Sequence, residues 1–307
     1  MPLNKISKRE KNEALWGYLF ISPFIAGFVF FMFGPMIFSL IGSFTDYNLT
    51  SQMNFIGLKN FSRMFFKDTL FWKSLYNTIY FVLFNVPLTT LFSVLLATLL
   101  NQRLRGIRVF RTIFYLPAIL SGVAVYVLWI QILSPSSGLI NTFLSWVGIQ
   151  GPAWLFDPLW TKPALIIMKV LGSGGAMLLY LATLQNIPFS LYESAEIDGA
   201  GAWHKFKSVT LPLITPIIFY DIVTSSIGSF QIFQEAYVMT KNGSGGPANS
   251  LLFYNLHMWN KAFVAFDMGY AMAMSMILFL ITLVLTGINL KLAPKWVYYA
   301  GGEKNDN

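Results

Sequence analysis

A short polar stretch between two apolar ones concentrates groups that can do acid–base chemistry. The sequence YESAEIDGAGAWHKFKSVTLP, residues 192–212, holds three carboxylates, two lysines and a histidine. Its carboxylates, Glu193, Glu196 and Asp198, are nearly a quarter of the 13 acidic residues in the chain. Carboxylates and histidines are the side chains that transfer protons and hold metal ions. The alternative is that these charges begin a helix or bind a partner.

The rest of the sequence argues against catalysis. His204 and His257 fall on opposite sides of the membrane in the topology derived below, so no histidine-containing metal or nucleophile set can form. Cysteine is absent, which excludes disulfides and thiolate metal sites. The phosphate-binding motif Gly-x-x-x-x-Gly-Lys-Ser/Thr is also absent, since GSGG at 172–175 lies in an apolar span and GSGGP at 243–247 lacks the following Lys-Ser/Thr. We therefore expect no enzyme, no ATPase site and no cofactor in this chain.

Two ionisable residues lie inside apolar stretches, where charge is costly and therefore suggests function. Lys169 either extends its long stem to the outer surface or lines a wet cavity. Asp221 either lines the same cavity or makes a buried hydrogen bond to a neighbouring helix, and we favour the hydrogen bond. If Lys169 faces the cavity, it favours an anionic sugar, such as one containing uronic acid.

Polar and aromatic side chains alternate directly after Asp221. This mixture suits a sugar, because amides and hydroxyls pair with sugar hydroxyls while aromatic faces cover the ring. Small residues at 172–175 permit either close helix packing or room for substrate. The predicted cavity residues are Lys169, Ser173, Asp221, Ser225, Ser229, Phe230, Gln231 and Gln234.

The elements that position these residues are membrane spans. The composition is 55% hydrophobic and only 11% charged, against about 25% charged in soluble proteins. The net charge of +8 does not indicate nucleic acid, because the positive residues lie between apolar runs. Six stretches are long enough for a helix of about 20 apolar residues. They are residues 15–44, 75–100, 112–133, 163–184, 211–233 and 268–290.

Lysine and arginine placement orients the spans. The connection NQRLRGIRVFR holds four arginines, Arg103 among them, and no acid, so it is predicted to be cytoplasmic. The loop at 134–158 has no lysine or arginine and is predicted to be external. Six spans then place both termini and the polar stretch at 192–212 in the cytoplasm. The external loop at 45–73 fits least well, and its aromatic residues suggest either a helical segment at the membrane interface or a folded cap.

The polar stretch has local signals of two short helices. Ser190 followed by Glu193 fits a capping box, which predicts a helix that begins near Leu191. Gly199 or Gly201 can supply the left-handed residue that ends it. A second helix is predicted over 202–210, before the fifth span. The apolar residues of this loop are too many for a solvated linker and require a partner, either the membrane core or another protein.

The same residues resemble a known family. Glu-x-Ala-x-x-Asp-Gly-Ala, followed after about a dozen residues by Leu-Pro, is similar to the cytoplasmic EAA loop of permease subunits of ATP-binding cassette (ABC) importers. The matching residues are Glu193, Ala195, Asp198, Gly199, Ala200, Leu211 and Pro212. Ser194 occupies the central triplet position, and Val209 stands where isoleucine is usual.

Three further stretches resemble the sugar-importing branch, whose members include maltose-type and glycerol-phosphate-type permeases. They are FRTIFYLPAILSGVA (110–124), IGSFQIFQEAYVMTKNGSGGPANS (227–250) and GYAMAMSMILFLITL (269–283). The resemblance implies an all-α type I importer permease of six transmembrane helices. It implies one permease domain over 1–307, with a five-helix core at about 75–290 and coupling helices at 190–210. It also implies a multi-pass protein of the bacterial inner membrane.

The resemblance implies partners as well. They are a second homologous permease, a cytoplasmic ATPase dimer that binds ATP and Mg, an extracytoplasmic sugar-binding protein and the lipid bilayer. In this scheme Glu193 pairs with a basic residue of the ATPase, Gly199 allows the turn between the short helices, and Ala195 and Ala200 allow close packing. The alternative function is an ion-coupled secondary transporter that uses Lys169 and Asp221. Inverted repeats of broken helices, which such transporters often have, are not evident in the sequence.

Overall fold

The computed structural model describes residues 8–50, 52–102, 105–120 and 122–299. Lys5 at the basic amino terminus and Arg103 of the arginine-rich connection lie outside the described residues. Within the described residues the chain is helical, with one isolated antiparallel bridge between Thr45 and Phe55 as its β-structure. The predicted all-α class is confirmed. The described residues form two compact units.

The first unit comprises the chain up to Met64 together with Lys261–Ile277. Its first span consists of α1 (Lys8–Phe28), a π-helical turn (Val29–Phe33) and α2 (Gly34–Gly42). The wide turn ends two residues before Pro35, which has no N–H to donate and whose ring crowds the preceding helical turn. Most of the apolar side chains of this span are exposed, as expected of a helix that faces lipid or a partner.

A short helix, α3 (Lys59–Phe66), lies in the predicted external loop and is compatible with both arrangements predicted for that loop. Its buried Asn60 amide donates to two backbone carbonyls that follow α2, at 2.9 and 2.8 Å. Arg63 forms an ion pair with Asp267 at 2.6 Å. These contacts hold the segment against its own unit, while its position relative to the membrane stays a prediction.

The second unit comprises Phe65–Asn260 and the chain from Leu278. Its central element is α4 (Thr69–Leu100), which has buried residues along its whole length and packs against five other helices. Asp68 begins this helix because its carboxylate accepts hydrogen bonds from the free amides of Leu70 and Phe71. α4 is therefore the helix against which the other spans of this unit pack.

The third predicted span is not one straight helix. It consists of α5 (Ile107–Ile119) and α6 (Gly122–Ile132), which meet at a bend of 108°. Pro117 lies in the last turn of α5, and Leu120 has extended backbone angles that end that helix. The predicted span over 112–133 therefore corresponds to two helices rather than to one. Among the described residues, five helices are long and apolar enough to cross a membrane, and the number is six if the bent pair counts as one span.

The remaining helices follow in chain order. α7 (Leu139–Trp146) precedes the fourth span, which is α8 (Thr161–Leu171) and α9 (Gly174–Gln185) with a break at Gly172 and Ser173. The loop helices are α10 (Phe189–Ile197) and α11 (Ala202–Lys205), and the fifth span is α12 (Leu211–Phe230). Then come α13 (Gln234–Met239), α14 (Tyr254–Trp259) and the sixth span, α15 (Met268–Leu292).

Candidate functional site: a polar cavity and an exposed loop

A cavity of about 300 Å³ opens within the second unit between α4, the break of the fourth span and α12. Polar atoms and apolar walls both line it, as is usual for a binding site. Its lining residues are Phe81, Asn85, Thr89, Lys169, Gly172, Ser173, Ala176, Asp221, Ser225, Gly228, Ser229 and Ile232.

The structure brings five of the eight predicted cavity residues together here: Lys169, Ser173, Asp221, Ser225 and Ser229. The other three lie elsewhere, at or beyond the end of α12, whose last residue is Phe230. Phe230 packs in an apolar groove, while Gln231 and Gln234 are exposed. Whether any of the eight contacts a substrate stays a prediction.

Asn85 and Thr89 on α4 also line the cavity, and our sequence reasoning missed them. Their spacing of four residues places both on one helix face, a signal that was available in the second span. The Asn85 amide donates to Ser229 Oγ at 3.0 Å. Its Oδ1 atom is buried and accepts no hydrogen bond from the described residues. A buried acceptor of this kind is costly unless a donor reaches it.

Asp221 is held by three hydroxyl groups. Thr90 and Tyr180 donate to one carboxylate oxygen at 2.8 and 2.7 Å, and Ser225 donates to the other at 3.0 Å. Because Thr90 lies on α4 and Tyr180 on α9, this carboxylate joins three helices. The geometry is that of the interhelical hydrogen bond favoured above, although Asp221 also borders the cavity.

Lys169 lies at the end of the cavity wall and forms an ion pair with Glu235. The Tyr126 hydroxyl donates to the same Glu235 oxygen at 3.0 Å. The Glu235 side chain is only 9% exposed, whereas the Lys169 side chain keeps 34% of its surface exposed. Lys169 therefore borders the cavity. Sequence reasoning missed Glu235 as its partner, although Glu235 stands within the polar stretch that follows Asp221.

The environment of Glu235, just after the fifth span, favours its charged form. Burial alone would raise the pKa of this carboxyl, but the Lys169 ammonium and its hydrogen bond, with bonds from the Glu235 backbone and Tyr126, outweigh burial. The pKa is therefore below its ordinary value of 4.5. A carboxylate with a lowered folded-state pKa contributes stability above its ordinary pKa and loses it as the pH falls through the folded value.

This sign gives a testable pH dependence. Wild-type protein in detergent is expected to melt at a higher temperature than Glu235→Gln at neutral pH, because the variant leaves Lys169 unpaired. The difference in melting temperature should shrink as the pH falls below 4.5, because protonated Glu235 is then uncharged, like the glutamine of the variant. Thermal melts of both proteins across this range measure it, and other carboxylates largely cancel in the comparison. A difference that stays constant with pH would contradict the assigned ion pair.

The predicted loop helices are both present. α10 ends in a Schellman arrangement: Ala200 N–H donates to Ala195 O at 2.9 Å, and Gly199 N–H donates to Glu196 O at 3.0 Å. Gly199 has φ +76°, which glycine adopts without steric cost, whereas Gly201 has φ −68°. Of the two predicted glycines, Gly199 therefore ends the helix.

The predicted capping box was wrong. α10 begins at Phe189 with Pro188 at the cap position, and no side chain caps it. Ser190 lies inside the first turn, where its carbonyl accepts a hydrogen bond from the Ser194 hydroxyl at 3.0 Å. Because Pro188 occupies the cap position, the Ser190 side chain cannot serve as the cap. Glu193 therefore takes no part in capping the helix, and its side chain is exposed.

The second loop helix continues into the fifth span without a break. α11 passes through a π-helical turn (Phe206–Thr210) into α12, so Ala202–Phe230 is one helical segment. The turn precedes Pro212, whose ring disfavours regular α-helical bonding. Lys205 pairs with Glu196 at 3.2 Å and links the two loop helices.

The outer surface of this loop combines apolar side chains with a pocket. Ile197 is 87% exposed and Trp203 is 74% exposed, the latter stacked on Phe206. A pocket of about 440 Å³ lies at the turn between the helices. It is lined by Ala195, Asp198, Gly199, Ala200, Gly201, His204, Ser208 and Val209. Four residues of the EAA-like pattern thus share one surface, while Leu211 and Pro212 begin α12.

Residues 71–298 match the family described as "Binding-protein-dependent transport system inner membrane component". The chain belongs to this family. The permease is 42% identical over 305 residues to the probable ABC transporter permease protein YesP of Bacillus subtilis (strain 168), covering 98% of this chain and 97% of the relative. It is 38% identical over 276 residues to the lactose transport system permease protein LacF of Rhizobium radiobacter, covering 88% and 91%.

Its fold matches a solved bacterial alginate ABC transporter in complex with an alginate pentasaccharide-bound periplasmic protein. The TM-score is 0.82 at 24% identity, covering 94% of this chain and 96% of that chain. At this identity the match establishes the fold alone. The family and the sugar-permease relatives confirm the resemblance drawn from the sequence. The chain is thus a multi-pass membrane subunit of a sugar-importing ABC system, and a transport subunit rather than an enzyme.

Proposed function

We propose that the permease moves an oligosaccharide into the cytoplasm of a bacterium by alternating access, driven by a separate ATPase. The observation that carries this proposal is the polar cavity between α4, the fourth span and α12. Hydroxyls, an amide and two ionisable groups border it, and Asn85 offers a buried acceptor that a sugar hydroxyl can satisfy. An aromatic wall is supplied by Phe81.

The loop of α10 and α11 is proposed to be the contact with the ATPase. A surface that exposes Ile197 and Trp203 beside a pocket is suited to receive or enter a partner, because large apolar side chains favour burial. The exposed Glu193 remains available for a basic residue of that partner. This assignment places the loop and both termini in the cytoplasm, as the arginine-rich connection predicts.

The full assembly is proposed to contain four kinds of component. They are this permease, a second homologous permease, an ATPase dimer and an extracytoplasmic sugar-binding protein. ATP and Mg are assigned to the ATPase, and this chain is proposed to bind no cofactor. The fold match to an ABC transporter in complex with its periplasmic protein supports partners of this kind.

A separate question is whether the sugar is neutral or acidic. LacF is named for lactose, a neutral sugar, whereas the structural neighbour imports alginate, described as an acidic polysaccharide. Lys169 is the cation among the residues that line the cavity, so an acidic sugar has this ammonium as its partner there. We propose that the substrate is an oligosaccharide and that, if it is acidic, it contains uronic acid.

Reconstitution tests the proposal. The permease, its co-purifying ATPase and second permease, and the binding protein are placed in proteoliposomes, and labelled oligosaccharide uptake is measured with and without ATP. ATP-dependent uptake that survives dissipation of proton and sodium gradients is the expected result. Uptake that needs an ion gradient and ignores ATP would instead establish the ion-coupled alternative.

A further inference from the structure

The cavity contains two ionisable groups whose surroundings differ. Asp221 is engaged by three hydroxyl donors and stays in the wall. Lys169 lines the cavity and is paired with Glu235, which does not line it. The positive charge of Lys169 is thus neutralised by the buried carboxylate of Glu235. Any anion that approaches Lys169 meets a group that already has a partner.

We propose that the Lys169–Glu235 pair sets the charge preference of the cavity, with Glu235 competing against anionic sugars for Lys169. This inference rests on the proposed function and deepens it. Glu235 is a specificity-determining residue that acts through Lys169 rather than by touching the sugar. Its fixed position follows from Tyr126, whose hydroxyl holds the same carboxylate oxygen from α6.

The expected size of the effect follows from Coulomb's law. A unit charge about 8 Å from a bound carboxylate, at an effective dielectric constant of about 20, changes its affinity by about tenfold or more. A neutral sugar of the same shape lacks that interaction. The ratio of uronate affinity to neutral-sugar affinity therefore isolates the charge effect from general damage to the cavity.

The test uses the whole transporter assembly in detergent or nanodiscs. The probes are trigalacturonate and its carboxyl-reduced neutral counterpart, and equilibrium binding of each is measured for wild type and variants. Glu235→Gln is expected to raise the uronate-to-neutral affinity ratio by about tenfold or more. Tyr126→Phe keeps both charges and is the matched control, with a ratio expected within about threefold of wild type.

A double variant checks that the effect passes through Lys169. Lys169→Met combined with Glu235→Gln removes both charges, so the gain seen in Glu235→Gln should disappear. If Glu235→Gln fails to assemble, the exchanged pair Lys169→Glu with Glu235→Lys keeps the compensation and should lower the ratio by about tenfold or more. An unchanged ratio in that exchanged pair overturns the proposal.

The decisive outcomes are separable from the proposed function. Glu235→Gln that binds the uronate no tighter than wild type, including the case in which neither binds it, overturns the role of Glu235 in charge preference. The importer function then stands or falls on ATP-dependent uptake by the wild-type assembly. Loss of that uptake would overturn the function itself.

Discussion

Gly174→Ala is expected to prevent stable packing of the fourth span. A Cβ atom at this position would lie 2.0 Å from the Phe114 carbonyl oxygen and 3.1 Å from Tyr115 Cα. Both are backbone atoms of α5, so neither can rotate out of the way, and the helices must separate. Overpacking of this kind costs about 3 kcal/mol or more. The measurement is the yield and thermal melting temperature of the purified permease, and both should fall sharply.

The adjacent glycine supplies a matched control. At Gly175 the added Cβ would meet only Ala118 Cβ, at 4.0 Å, which is ordinary contact. Gly175→Ala should therefore be neutral or stabilising, because alanine favours a helix over glycine by up to about 1 kcal/mol. Equal melting temperatures for the two variants would refute the close approach of α5 and α9 at Gly174.

Ile197→Asp is expected to abolish ATP-driven uptake while leaving the permease in the membrane. The side chain is 87% exposed on the loop, so its replacement disturbs no core of this chain. In the proposed contact with the ATPase the aspartate would be buried without a partner, which costs several kcal/mol. Uptake should fall by about 100-fold or more, and the ATPase should be lost on purification of the tagged permease.

Ile197→Leu is the control, because it keeps an apolar side chain of the same volume. Its uptake and its co-purifying ATPase should stay close to wild type. The aspartate variant must also express and melt like wild type, so that lost uptake reports docking rather than folding. Normal uptake by Ile197→Asp would show that the loop does not form the contact with the ATPase.

The parts predicted from the sequence are those with local physical causes. Runs of about 20 apolar residues have few alternatives to a spanning helix, so the spans were found. A glycine, Gly199 or Gly201, was predicted to end the first loop helix because glycine adopts positive φ without strain, and Gly199 has φ +76°. Ser225 and Ser229 were predicted at the cavity because hydroxyls that alternate with aromatic rings suit a sugar, and Ser173 because small residues can leave room for a substrate.

The parts that were missed depend on distant pairing or on competing local signals. Lys169 and Glu235 are 66 residues apart, and Asn85 and Ser229 are 144 apart, so only helix packing brings them together. The capping box failed for a local reason, since the proline two residues before Ser190 already occupied the cap position.

The unbroken helix from Ala202 to Phe230 has a mechanical consequence. It joins the exposed loop at one end to the cavity wall at Ser225 at the other, a span of about 35 Å at 1.5 Å per residue. A rod of that length acts as a lever: a tilt of about 10° at the loop end moves the cavity end by about 6 Å. The single turn of wider pitch at Phe206–Thr210 is then the place where the lever can flex. In the proposed mechanism, stiffening or loosening that turn would change how far the cavity wall moves when the loop moves.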